Sequence, residues 1–127
     1  MKRRKSLIFL SLVLILTFAL SVNSMALLSW NSTCICNPGL TIRGSTAACD
    51  LEVLANNPSD SITAFVYLEQ VYAGGTTDLV ASWTNMKANG EFSFYETVTI
   101  NPSCDYQMRI TVIVDGSGGM DVISDVV

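Results

Sequence analysis

The sequence predicts an all-β fold, an antiparallel β-sandwich of about seven strands after an N-terminal signal helix, and three features carry that expectation. Ser61 to Val71 alternates strictly, with Ile62, Ala64, Val66 and Leu68 on one parity and Thr63, Phe65, Tyr67, Glu69 and Val71 on the other. That is a strand with one face on a core and one toward water. Short apolar runs separated by turn residues flank it on both sides, and no amphipathic helix is evident after residue 26.

The first element is an export signal. Lys2, Arg3, Arg4 and Lys5 precede an apolar run from Leu7 to Leu20, and Ser24-Met25-Ala26 sets small residues where a signal peptidase reads, so cleavage is expected after Ala26. The run is shorter than the roughly 20 residues a bilayer-spanning helix needs, so membrane contact is expected only through this segment, and only if it stays uncleaved. Arg3-Arg4 lacks the rest of a twin-arginine motif, and no Cys ends the run as a lipoprotein would require. The expected organisation is a signal peptide, 1–26, and one domain, 27–127, secreted to the exterior or associated with the cell wall.

Residues 27–127 keep three cations, Arg43, Lys87 and Arg109, of the seven in the chain, against all eleven acids, a net charge of minus eight. Three scattered cations make no basic stripe, which argues against nucleic acid and anionic lipid as partners.

The strands are expected in the following order. Leu27 to Cys36 is a lead-in whose Trp30 is a packing residue, and Asn31-Ser32-Thr33 has the form of a glycosylation acceptor. Asn37-Pro38-Gly39 reads as a turn before a brief strand, Leu40 to Gly44. Cys49 to Ala55 alternates through Cys49, Leu51, Val53 and Ala55, and Asn56 to Asp60 is a loop. After the central strand and Gly74-Gly75, Asp78 to Met86 returns with Leu79, Ala81 and Trp83 on one side. Asn89-Gly90 suits a type I′ hairpin into Glu91–Ile100, which carries Phe92, Phe94, Val98 and Ile100. Glu96 breaks that stripe, so a bulge or an edge position is expected to keep it in water. Tyr106 to Val114 and Met120 to Val127 complete the set, joined by the loop Asp115 to Gly119.

All four cysteines, Cys34, Cys36, Cys49 and Cys104, lie beyond the cleavage site. An even count in an exported chain implies two disulfides. A Cys34–Cys36 ring is too tight, which leaves one of that pair joined to Cys49 and the other to Cys104, each closure worth on the order of 3 to 4 kcal/mol. The spacing is not the paired C-x-x-C of structural zinc.

The chain has no histidine, which removes triads built on it. Gly116-Ser117-Gly118 lacks the setting of a nucleophile elbow, and Asp115 to Asp121 lacks the order of a calcium loop, so both read as solvated loops. Glu52, Glu69, Glu91 and Glu96 fall where solvated strand faces are expected, which disfavours a two-carboxylate hydrolase. Phe65, Tyr67 and Tyr95 lie off the presumed core stripes and form the candidate binding surface, since aromatics on a sheet face suit sugars or protein partners.

Val66-Tyr67-Leu68-Glu69-Gln70, a Gly-containing turn, Leu79-Val80-Ala81-Ser82-Trp83-Thr84, a Phe/Ser/Thr-rich strand and Tyr106-x-x-Arg109 follow one another in that order. Across residues 40–126 this resembles small secreted proteins of Gram-positive bacteria, grouped as a family of unknown function. The resemblance implies an Ig-like or fibronectin-like sandwich and no functional residues. Cys49, Trp83 and Cys104 imitate the immunoglobulin Cys-Trp-Cys order, but the first gap is too long, and Tyr106 follows the second Cys instead of preceding it.

The function these features favour is a secreted or cell-surface structural or binding module with no catalysis and no cofactor, its partner a protein or carbohydrate at the cell surface. A secreted effector, toxin or bacteriocin-like, and a carboxylate-based hydrolase are the alternatives.

Overall fold

A computed structural model describes residues 30–127, and Asn31–Val127 forms one compact unit. The expected signal segment, 1–26, lies outside the described residues. Seven strands follow one another: β1 (Thr33–Arg43), β2 (Thr46–Ala55), β3 (Ser61–Val71), β4 (Thr77–Asn89), β5 (Glu91–Thr99), β6 (Asp105–Gly116) and β7 (Gly119–Val126), with no helix among the described residues. They pair antiparallel in two sheets, sheet A in the order β1-β2-β5 and sheet B in the order β4-β3-β6-β7.

The period-2 alternation decides what is buried. Ile62, Ala64, Val66 and Leu68 of β3 pack with Met108, Ile110, Val112 and Val114 of β6, all 0% exposed, because these are the interior strands of sheet B. Cys49, Leu51 and Val53 of β2, with Phe92 and Ile100, join them in one cluster, so the two sheets share a single core. Each large side chain so buried contributes about 1.5–3 kcal/mol. Where edge strands β4 and β5 meet, Trp83 stands edge-on to Phe94, ring centroids 5.1 Å apart.

Four local expectations change in three dimensions. Asn37-Pro38-Gly39 is not a turn, because β1 runs straight through it and pairs only with β2. An edge strand tolerates proline, whose missing N–H faces away from the ladder. Asn89-Gly90 is not a hairpin either. β4 pairs with β3 and β5 with β2, so the chain crosses between sheets there. Only Gly90 of the two has positive φ, whereas a type I′ turn needs both. Gly90 is required for a different reason: a Cβ would stand 2.8 Å from the Pro58 backbone. Leu79 is 59% exposed because a register shift between Leu68 and Glu69 turns it to the outer face. Trp30 is 42% exposed and does not pack in the core. Glu96 behaves as expected of an edge residue. It is exposed on β5, whose pairing with β2 has no bulge.

The two expected disulfides are absent, and all four cysteines are free thiols. The register of β1 on β2 explains why Cys49 is out of reach of the N-terminal pair. Cys36 lies opposite Val53 and Cys49 opposite Leu40, four positions along the strand. That is about 13 Å, well over the roughly 7 Å a disulfide spans between Cα atoms, and Cys34 is farther still. Burial, with Asp125 adding to it, pushes the Cys36 thiol up to about 11, and burial with Asp50 does the same for Cys49. Both are held as thiols, the form that is neither nucleophile nor metal ligand.

A buried carboxylate performs the fastening instead. Asp121 of β7 accepts hydrogen bonds from the Asn31 N–H (2.8 Å), the Ser32 N–H (2.8 Å) and the Thr33 hydroxyl (2.8 Å), while the Ser32 hydroxyl donates to the Gly119 carbonyl (2.7 Å). Burial alone raises a carboxyl, but these donors outweigh it and hold Asp121 below its ordinary value.

Candidate binding face

The three aromatics of the expected surface do not share a face. Tyr67 is paired with Arg109 and Phe65 with Thr111 on the outer side of sheet B, whereas Tyr95 is paired with Asp50 on the outer side of sheet A. One continuous platform of Phe65, Tyr67 and Tyr95 is therefore ruled out by topology, because the strands that carry them belong to different sheets.

On sheet B, Tyr67, Glu69, Gln107 and Arg109 engage one another, beside a depression lined by Arg109, Thr111 and Ser124. The Arg109 guanidinium lies 4.4 Å from the centroid of the Tyr67 ring, a cation–π contact. Its Nε donates to Glu69 Oε1 at 3.2 Å and a terminal nitrogen to Oε2 at 3.5 Å, and Gln107 Nε2 donates to Oε1 at 3.2 Å. Glu69 is 8% exposed. Burial pushes its pKa up, but the hydrogen bonds from Arg109 and Gln107 and the charge of Arg109 bring it below the usual range. Phe65 is half-buried opposite a bulge in β4, where Asn85 takes a φ of 53°.

On sheet A the same residue types are left open. The register places Gly39, Asp50 and Tyr95 in one row across β1, β2 and β5, with Thr41, Ala48 and Thr97 in the next row but one. Gly39 matters for its missing side chain: a Cβ there would meet the Asp50 carboxylate oxygens at 2.7 Å. The carboxylate therefore leans into the space over β1 and away from the Tyr95 ring. Tyr95 is 67% exposed. Two shallow depressions adjoin the Asp50–Tyr95 pair, one bounded by Glu52 and Ser93, the other by Thr41, Arg43, Thr46 and Thr97. The one ion pair among the described residues is Arg109–Glu69, so Arg43 carries no partner carboxylate there.

The other candidates fall away from any common site. Glu52, Glu91 and Glu96 are exposed, and Glu69 is engaged by Arg109. Asp115 to Asp121 spans the β6–β7 turn, but its Asp121 carboxylate faces N–H and O–H donors, the wrong partners for a cation. Among the described residues no group of three His, Cys, Asp or Glu side chains is arranged to hold a metal.

Asp50, Arg43 and Gly39 had no place in the surface expected from sequence. The missed signal was Pro38-Gly39 inside a strand: a glycine in a strand interior marks close approach to its backbone, and read that way it points to whatever stands opposite. Comparison of the chain with protein-family models, with curated proteins and with solved structures finds no match in any of the three.

Proposed function

We propose that this chain is an exported, non-enzymatic binding module of Ig-like build, acting at the cell surface or outside the cell through the outer face of sheet A. The strand order supports the Ig-like part. Lettering the strands A, B, C, C′, E, F and G in chain order makes sheet A the set ABE and sheet B the set C′CFG. That order is the one expected of an Ig arrangement lacking strand D, with C′ on the CFG side. The basic N-terminus and apolar run support export, as does the resemblance to small secreted Gram-positive proteins.

The observation that carries the binding role is the row Gly39–Asp50–Tyr95, where an exposed ring stands beside a carboxylate with no donor bonded to it among the described residues. Exposed aromatics in a polar frame are the usual anchors of recognition surfaces. The test is cosedimentation of the purified full chain with washed Gram-positive envelopes. Wild type and Tyr67→Phe are expected to pellet, and Tyr95→Ala to stay in solution. Equal pelleting of Tyr95→Ala, or no pelleting of wild type, would overturn the reading. Turnover of envelope glycan that disappears in Asp50→Asn would replace it with a hydrolase. Intact mass of the protein in the medium checks export, the expected species beginning at Leu27.

A further inference from the structure

We infer that the ligand of the sheet A face is a neutral, hydroxyl-rich glycan chain, stacked on Tyr95 and hydrogen-bonded by Asp50 and Arg43. This rests on the reading of that face as a binding surface and adds the chemical class of what it binds.

Three properties of the face select that class. The first is its polarity. Threonine hydroxyls, the Asp50 and Glu52 carboxylates, Ser93 and one guanidinium surround the exposed Tyr95 ring, with Ala48 and the half-buried Phe94 the other apolar side chains bordering the depressions. A protein partner needs a patch core that excludes water and is depleted in acids and serine, whereas here Asp50, Glu52 and Ser93 lie at the centre. A sugar presents the opposite surface, C–H bonds on the faces of its ring and hydroxyls around the edge. The exposed Tyr95 ring takes a C–H face, the free Asp50 oxygens accept two adjacent hydroxyls, and Arg43 and the threonines supply donors.

The second property is charge. Asp50, Glu52 and Glu91 stand on this face of sheet A against Arg43, and residues 27–127 carry minus eight overall. A polyanionic wall polymer is repelled by that field, and a neutral chain is not.

The third is shape. The depressions are open and adjoin the same Asp50–Tyr95 pair on both sides, so the face is a path along the strands and not a closed pocket. Gly39 keeps one wall low, since β1 has no side chain in that row. A path of this kind accommodates an extended chain of sugars rather than a single small molecule.

The test is an amide-shift titration of the isotopically labelled full chain with neutral β-1,4-linked hexasaccharides of glucose and of N-acetylglucosamine. Expected are perturbations along Gly39, Asp50, Tyr95 and Thr97 with little change on sheet B. Tyr95→Ala should weaken binding about tenfold or more, the effect of removing one stacked ring, and Tyr95→Trp should restore it. Gly39→Ala, which pushes the Asp50 carboxylate toward Tyr95, should weaken binding without altering the fold, so a loss here does not depend on the aromatic variant. Affinity should be almost unchanged by an approximately tenfold rise in salt, since no charge is neutralised. The glycan class is overturned if neither hexasaccharide perturbs the row, or if Tyr95→Ala binds as wild type does. It is also overturned if Tyr95-dependent envelope binding survives competition by both sugars and is abolished by protease treatment of the envelopes. That last outcome assigns a protein partner and leaves the binding role of sheet A standing.

Discussion

The outer faces of the two sheets use one vocabulary, a tyrosine, a carboxylate and an arginine, and arrange it in opposite ways. On sheet B, Arg109 lies over Tyr67 and grips Glu69, so the carboxylate is satisfied within the molecule and the ring is covered by the guanidinium. On sheet A, Asp50 leans over Gly39, Tyr95 stands in solvent, and Arg43 has no acidic partner among the described residues. The difference is one of register. Tyr67, Glu69, Gln107 and Arg109 are brought side by side by the interior pair β3–β6. Tyr95 sits on an edge strand with a neighbour on one side only. Polar groups with every bond made inside the protein stabilise it, and groups whose bonds are left open are available to something else.

The sharpest way to break this contrast is to remove the most deeply engaged carboxylate. Asp121→Ala strips the acceptor from the Asn31 and Ser32 N–H groups and the Thr33 hydroxyl, and should lower unfolding stability by about 3 kcal/mol in urea titration. A loss below about 1 kcal/mol would mean that water replaces the carboxylate at little cost. Acid should act in the same direction. A carboxylate whose folded pKa is depressed contributes its stability above its unfolded pKa and loses it as pH falls through the folded value. Asp121 and Glu69 are both depressed, so stability should decline as pH drops below about 4, and the gap between wild type and Asp121→Asn should close there. A gap that stays constant on acidification would count against the depressed pKa of Asp121.

Smaller changes sharpen the comparison between faces. Glu69→Gln should cost about 1 kcal/mol, a modest figure because the Arg109 side chain is 45% exposed and solvent screens the pair. Tyr95→Ala and Asp50→Asn should each shift stability by no more than about 0.5 kcal/mol, since neither side chain is hydrogen-bonded among the described residues. If thermal melts instead show Tyr95→Ala as costly as Glu69→Gln, then the ring packs on its own sheet and sheet A is not the open face.

Alternation made most of the fold legible. The stripe Ile62 to Leu68 lies inward, as do Cys49 to Ala55 and Met108 to Val114, because a strand's period is fixed by backbone geometry whatever it pairs with. Which strands pair is a different kind of information. Asn89-Gly90 has the local chemistry of a hairpin, yet the sheets claim β4 and β5 separately, a decision made by side chains remote in sequence. The candidate site was half legible for the same reason. Tyr95 stood out by parity, but Asp50 and Gly39 become its neighbours only through two registers, and none of the local spacings encodes those. The cysteine count misled because it carries no distance.

The clamp at Asp121 also sets an order of events. Its bonds join residues 88 to 90 positions apart, so they form only once β7 is in place, whereas the β1–β2 pairing beside them needs only neighbouring chain. Closure between such distant segments is slow compared with pairing of neighbouring strands such as β1 and β2, which places the clamp among the last contacts to form. The carboxylate that fastens the folded domain therefore acts only when nearly all of residues 31–121 have found their strands.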